Sequence, residues 1–359
     1  MRILHTADIH LRNDSDHRWH ALGAVLEKAA AVGADVVVIS GDLFDRDIDA
    51  QQLKPSLRAL FEHHHSNERR ILILPGNHDR KGIRSGDFYG DNVDVLATGG
   101  HTVDIDTVRF VPMPFADGGA DRTLERLYAA ADHRDAERTN VLLFHGELLD
   151  LVPGGGAFGE EDPDYMPVRL ASFAGLGFDY VLAGHFHRSY AVHEFDGGYF
   201  VYPGSPVAIT TRELGRRRVD IVDVGQAPRP EPVDTWHFEA VEVHLDPFDE
   251  VHPVEAIDTR LAGMRAHARV LLTVSGCVNL GALGLTETEL NAALKKEIAR
   301  WRIHDMDARW VDVRDVIDHE LFKKFNAHLT REGNNTSPER RAELRELVLR
   351  SLMDLNYAR

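Results

Sequence analysis

The chain has 359 residues, 43% hydrophobic and 28% charged, the balance of a folded globular enzyme rather than a disordered or fibrous chain. Against 41 Lys and Arg stand 58 Asp and Glu, so the net charge is −17; this excludes a generally basic nucleic-acid coat but leaves room for a local basic patch. A single cysteine, Cys277, excludes an intrachain disulfide and a cysteine-ligated zinc site.

In chain order, Ile3–Ala7 predicts a short apolar strand with no signal-peptide pattern ahead of it, and no apolar run approaches the length of a membrane span. A cytoplasmic enzyme is expected. Trp19, Leu22, Val25, Leu26 and Ala29 recur at helical spacing over 18–31, and Ala34–Ser40 is a β-branched run suited to a strand buried on both faces. Leu53, Leu57, Leu60 and Phe61 predict a second helix over 49–62, with Pro55 in its first turn or bending it. Ile71–Leu74 is another buried strand. Further strands are expected at 108–111, 140–144 and 179–183, with a helix at 121–132. After residue 187 come shorter strand patterns at 190–195, 199–202, 206–211 and 216–223.

The Pro-rich stretch 225–235 is the expected domain boundary, closing a domain over 1–225. A small α/β domain is expected over 236–325. It would have strands near 238–245, 269–275 and Trp310–Val316, a helix at 253–264, and a second helix opened by the capping box Thr286–Glu289. A polar break at 328–338 precedes an amphipathic helix over 338–359, with Leu344, Leu347, Val348, Leu352 and Leu355 on one face. That face is suited either to a partner or to packing back on its own domain.

Five short segments follow apolar strands, where open α/β sheets put their binding loops. They are Asp8-Ile9-His10, Gly41-Asp42-Leu43-Phe44-Asp45, Gly76-Asn77-His78-Asp79, His145-Gly146 and Gly184-His185-Phe186-His187. A lone strand-end histidine is usually a hydrogen-bonded structural residue. Carboxylates, histidines and an asparagine gathered at strand ends have no apolar-core role, because burying them unpaired is costly. Oxygen and imidazole donors without thiolate suit Mn, Zn or Fe at a hydrolytic site.

This ordered set resembles the calcineurin-like metallophosphoesterase superfamily. Arg2–Leu11 (RILHTADIHL) and Tyr202-Pro203-Gly204-Ser205-Pro206 more narrowly resemble the SbcD-type DNA repair exonucleases, although Arg12 stands where that family usually has glycine. The implied fold is an α/β sandwich of central β-sheets flanked by helices, with a small α/β capping domain and a C-terminal helix. The resemblance implies two divalent ions, most readily Mn2+, one held by Asp8, His10, Asp42 and His187 and the other by Asp42, Asn77, His145 and His185. Asp42 would bridge ions roughly 3.5–4 Å apart. His78 would face the substrate, stabilising charge or protonating the leaving oxygen after attack of activated water, with Asp45 orienting it.

Arg12, Arg18, Arg80, Lys81, Arg84 and Arg188 flank these motifs and are expected to form a phosphate-contacting rim, with Arg216-Arg217-Arg218 either extending it or forming a hairpin surface. The implied activity is DNA exonuclease, with possible single-strand or hairpin endonuclease action, in a nucleoid-associated homodimer. ATP would bind a partner ATPase of the SbcC type, since the chain has no GxxxxGK[ST] loop. The alternative is a small-molecule or cyclic-nucleotide phosphodiesterase or phosphatase using the same metals.

Overall fold

The computed structural model describes residues 1–65, 69–151, 165–188, 190–249, 251–331 and 337–357. The chain forms two compact units, Met1–Phe238 and Glu239–Arg359. The first runs β1 (Arg2–Thr6), α1 (His17–Ala31), β2 (Val36–Ser40), α2 (Asp47–His63), β3 (Arg70–Leu74), β4 (Val93–Val95), β5 (Val103–Ile105), β6 (Val108–Met113), α3 (Ala120–Ala131), β7 (Thr139–His145), β8 (Tyr180–Gly184), β9 (Ala191–Phe195), β10 (Gly198–Tyr202), β11 (Arg218–Asp223) and β12 (Arg229–Pro232).

These strands make two six-stranded sheets, β12-β11-β1-β2-β3-β4 and β5-β6-β7-β8-β10-β9. In the first, β1 to β4 are parallel and β11 and β12 are added antiparallel. In the second, β6, β7, β8 and β10 are parallel and the edge strands β5 and β9 antiparallel. Side chains alternate across each strand. Ile3, Val36, Val38, Leu72 and Leu74 therefore meet Phe110, Val141, Leu143 and Leu182 between the sheets. Leu4, Val37, Ile39, Ile71 and Ile73 pack outward against Leu22, Val25 and Leu26 of α1 and Leu53, Leu57 and Phe61 of α2. On the far side Leu127 and Ala130 of α3 cover the second sheet. This is the calcineurin-like sandwich with extra α/β elements.

A polar layer interrupts the inter-sheet core. His5 and Asp220 are cross-strand partners on β1 and β11, and the His5 ring bonds Ser40 Oγ at 3.0 Å. Tyr190 donates to Asp220 Oδ1 at 3.2 Å, but Oδ2 is buried without a partner among the described residues. Burial pushes the Asp220 carboxyl up to about 7, more than the Tyr190 hydrogen bond lowers it. A raised carboxyl pKa in the folded state lowers stability as pH rises from about 4 through 7. Asp220→Asn keeps an acceptor for Tyr190 and removes this liability. Its unfolding free energy, from denaturant titration, should match the parent near pH 4 and exceed it at pH 8, by on the order of 2–4 kcal/mol at 1.36 kcal/mol per unit. Equal pH slopes for the two proteins would refute this.

Two sequence expectations change here. Residues 206–211 are not a strand: Ile209 and Thr210 donate their backbone N–H groups to the Glu213 carboxylate instead of to a neighbouring strand. The stretch 225–235 contains β12, whose Pro230 and Pro232 are tolerated on a sheet edge; the compact unit closes later, at Phe238. Of the two expectations for Pro55, a first-turn position is not the one found: it sits two turns into α2.

The second unit continues with β13 (His237–Leu245), α4 (Pro253–Leu261), β14 (Ala268–Val278), α5 (Leu280–Leu283), α6 (Glu287–Arg300), β15 (Ile303–Asp312), α7 (Arg314–Asp318), α8 (Glu320–Leu329) and α9 (Pro338–Tyr357). Its sheet runs β13-β14-β15, and the Thr286–Glu289 capping box starts α6. The last strand lies earlier than Trp310–Val316. β15 pairs parallel with β14 from Ile303 to Asp312, and residues 314–318 turn into α7. On α9, Leu349, Val348, Leu352 and Met353 pack with Val313, Val316 and Phe322 of the same unit, whereas Leu347 and Leu355 stay exposed. Residues 332–336, within the expected break, and 358–359, at the expected helix end, lie outside the described residues.

Candidate metal centre

The five motif segments meet where the parallel strands of both sheets end. Asp8 and His10 follow β1, Asp42 follows β2, Asn77 and His78 follow β3, His145 ends β7, and His185 and His187 follow β8. The first two loops are zipped together: Asp8 N donates to Gly41 O at 3.1 Å, Ile9 and His10 N to Asp42 O at 2.9 and 3.0 Å, and Leu11 N to Leu43 O at 2.9 Å. Asp8, His10, Asp42 and His185 all take positive φ, at 57°, 54°, 51° and 120°. Such backbone is costly for residues with a Cβ and persists only where the surroundings over-determine it.

The approach is close enough to demand glycine. A Cβ on Gly184 would lie 2.0 Å from Ser40 O and 2.9 Å from His145 Nδ1, and one on Gly76 would lie 2.1 Å from Asp42 Oδ1. Gly184→Ala should therefore misplace His145 and destabilise the first unit by about 3 kcal/mol, the upper end of the range for core overpacking. An unchanged melting temperature would contradict this packing.

Among the described residues, three overlapping groups of side chains bring ligand atoms within 4.8 Å of one another: Asp8, His10 and His187; His10, Asp42 and His78; and Asp8, Asp42 and His145. His145 Nε2 is 3.2 Å from Asp42 Oδ2 and 2.9 Å from Asn77 Oδ1. His185 falls outside those groups. Its backbone N–H donates to both Asp8 oxygens at 3.0–3.1 Å, and its ring centroid is 5.6 Å from that of His145.

The donor set fits divalent cations. His145 Nδ1 bonds the Ser40 carbonyl at 2.8 Å. A carbonyl only accepts, so Nδ1 carries the proton and Nε2 is left as the ligand nitrogen. His187 Nδ1 lies 3.6 Å from the buried Glu213 carboxylate, whose charge favours a proton on that nitrogen. His10 Nε2 and His187 Nε2 are 3.1 Å apart. That separation would let both nitrogens reach one divalent ion. His10 Nδ1 has no hydrogen-bond partner among the described residues.

The electrostatics are those of charges gathered out of water. Burial pushes the Asp8 carboxyl up to about 6. Burial works in the same direction on Asp42, but His145, His10 and His78 outweigh it and hold its carboxyl far below the usual range. Burial drives His10 well down and His185 to about 3. His145 is opposed by burial yet raised to about 9 by Asp42 and Asp8.

The surroundings differ in part from expectation. Asp45 does not offer its carboxylate to His78. That group pairs with Arg12 Nε at 2.9 Å and Arg18 Nη1 at 2.8 Å, and it is the Asp45 carbonyl that accepts from His78 Nδ1, at 2.9 Å. Arg18 is not on the rim: it is 5% exposed and also donates to His10 O at 2.6 Å. Its guanidinium braces the first motif loop. Arg80 pairs with Asp117 at 2.6 Å and lies over the Phe115 ring. Arg84 Nε donates to the Lys81 carbonyl, while Lys81 and Arg188 are exposed. Asp79 accepts from Phe44 N and Gly76 N, tying two motif loops together. Sequence reading missed Glu213, Ser40 and Tyr165, whose ring centroid is 5.0 Å from that of His185. None of the three belongs to a motif.

The chain is similar to several known proteins. One of the subunits of the nuclease SbcCD of Escherichia coli (strain K12) is 23% identical over 256 residues, covering 61% of this chain and 63% of its own length. The chain thus spans less than two thirds of that relative. Among solved structures, the protein TT1561 of Thermus thermophilus (TM-score 0.40, 15% identity) covers 61% of this chain and 92% of its own. A dimetal phosphatase from Danio rerio (TM-score 0.41, 11% identity) covers 65% and 95%. The clustered donors are consistent with a binuclear divalent-metal site, the architecture of metal-dependent phosphodiester hydrolysis. Residues 1–189, more than half of the chain, match the calcineurin-like phosphoesterase model, and the chain belongs to that family.

Proposed function

We propose that this chain is a metal-dependent DNA nuclease of repair, an exonuclease with single-strand or hairpin endonuclease action. The observation that carries the DNA assignment is the 256-residue similarity to a relative whose name makes it part of a nuclease. Arg12, Arg80, Lys81, Arg84 and Arg188 beside the motif loops support it, because arginine and lysine neutralise backbone phosphates without reading sequence.

In this reading Asp8, His10, Asp42 and His187 hold one ion, and Asp42, Asn77, His145 and His185 the other, with Mn2+ the expected metal. The ion pair supplies an activated water and neutralises the phosphoryl oxygens. The chain's own residues do the rest. His78, with Nδ1 fixed on the Asp45 carbonyl, presents Nε2 to the leaving oxygen. Arg12 and Arg18 hold the Asp45 loop, and through it the His78 ring.

The same relative supports an SbcC-type ATPase partner. Exposed Leu347 and Leu355 leave apolar surface on α9 for it. A homodimer, a capping role for the α/β region over 236–325 and a cytoplasmic, nucleoid-associated setting belong to the same proposal. Among the described residues no helix is long and apolar enough to cross a membrane.

The test compares linear duplex, single-stranded and hairpin DNA with bis-p-nitrophenyl phosphate and cyclic nucleotides, with and without Mn2+. Mn2+-dependent degradation of at least one DNA form is expected. Inertness toward every DNA form alongside strong turnover of a small phosphodiester would replace this reading with a small-molecule phosphodiesterase.

A further inference from the structure

Beside the metal-binding loops lies a second polar cleft, of about 230 Å³, that none of the proposed ligands enters. Arg188, Tyr190, Pro203, Arg216, Arg217 and Arg218 line it, and among the described residues no carboxylate does. On a chain of net charge −17 that is an unusual concentration of positive charge. Two contacts fix the cleft to the metal centre. Arg188 follows His187 directly, and the Arg217 guanidinium donates to the His187 carbonyl and, at 2.9 Å, to Ser205 O. Arg217 is therefore committed to the wall.

Arg216 is different. Its Nε is buried without a hydrogen-bond partner among the described residues. A guanidinium N–H withdrawn from water and left unpaired is unfavourable, and an anion in the cleft would satisfy it. Guanidinium groups match the oxygens of a phosphate in a planar, two-pronged geometry.

We propose that this cleft binds a backbone phosphate of a polynucleotide substrate, next to the scissile one, with Arg216 and Arg218 as its principal contacts. The assignment rests on the DNA reading above and adds the place where the strand leaves the metal centre. A small phosphodiester has no second phosphate to put there, so the cleft would distinguish polymer from monomer.

The test uses the full chain loaded with Mn2+ and the double variant R216A/R218A. Binding of a fluorescein-labelled phosphorothioate decathymidylate is followed by anisotropy over about 50 to 200 mM KCl, and hydrolysis of bis-p-nitrophenyl phosphate is measured beside it. Losing one to two phosphate contacts on a single strand should make the slope of log affinity against log salt shallower by about 0.7 to 1.4. Small-substrate kcat/KM should stay within about twofold of the parent. R216K/R218K, which keeps the charge, should restore most of the slope.

An unchanged slope in R216A/R218A would overturn the proposal. So would a joint loss of binding and small-substrate turnover that R216K/R218K does not restore, which would make these arginines part of the fold. Tight saturation by inorganic phosphate, with the oligonucleotide slope unaltered by the substitutions, would assign the cleft to free phosphate and also overturn it. Arginine-dependent binding with no DNA form hydrolysed would keep the cleft and remove the nuclease reading. Hydrolysis of DNA with arginine-independent binding would do the reverse.

Discussion

Asp42→Asn should strip both ions from the protein and leave it without phosphodiesterase activity, while the fold persists. The substitution is nearly isosteric and keeps one oxygen to accept from His78 N, which lies at 3.0 Å. What it removes is the negative charge at the meeting point of two of the three donor groups. Oδ2 lies 3.2 Å from His145 Nε2 and 3.8 Å from His10 Nε2, so this carboxylate faces donors from both proposed sites. Loss of a partner that merely orients a ligand costs about 10–100-fold in metal affinity, and loss of a shared ligand should exceed about 100-fold for each ion. Metal content after dialysis and titration calorimetry with Mn2+ read the effect directly. A D42N protein that binds two equivalents with parental affinity and turns over bis-p-nitrophenyl phosphate would eliminate the bridging role.

The sequence makes such a test possible because the candidate donors stand out by chemistry. Asp8, His10, Asp42, Asn77, His145, His185 and His187 are polar residues directly after apolar strands, and such positions have few other uses. The sandwich core is legible for a related reason: Val36–Ser40 and Arg70–Leu74 are buried on both faces, so their apolar runs carry a clear signal. The three-residue edge strands Val93–Val95 and Val103–Ile105 carry little, because none of their residues is fully buried. β15 was hidden by its acidic and basic residues, most of which remain exposed on a half-covered strand.

Around the site, what sequence could not supply is long-range pairing. Asp45 and His78 are brought together by the fold, but the hydrogen bond runs through a main-chain carbonyl, which no residue type encodes. Arg18 looks like a surface cation in a list of charges. Only the folded chain shows it beneath the first loop, bonded to His10 O and Asp45. Glu213 lies in a loop with no motif, yet its carboxylate gathers His187, Ser205, Ile209 and Thr210. The candidate ligands were readable as residues; the groups that contact them became visible only in the fold.

His78→Ala separates chemistry from metal binding and carries the second large effect. Nδ1 of His78 is 2.9 Å from the Asp45 carbonyl, so that nitrogen holds a proton, and in the proposed reading it is Nε2 that acts on substrate. His78 also falls in a donor group with His10 and Asp42, which makes ligation the rival role. A leaving-group acid and a ligand fail differently. If His78 acts on the leaving oxygen, H78A keeps both ions and loses about 10²–10⁴-fold in kcat on DNA, whose alkoxide leaving group needs a proton. The loss on bis-p-nitrophenyl phosphate should be much smaller, because p-nitrophenolate departs without one. If His78 is a ligand, metal content falls and both substrates suffer alike. Equal losses on the two substrates with one ion missing would move His78 into the metal shell, and near-parental DNA hydrolysis by a fully loaded H78A protein would deny it either role.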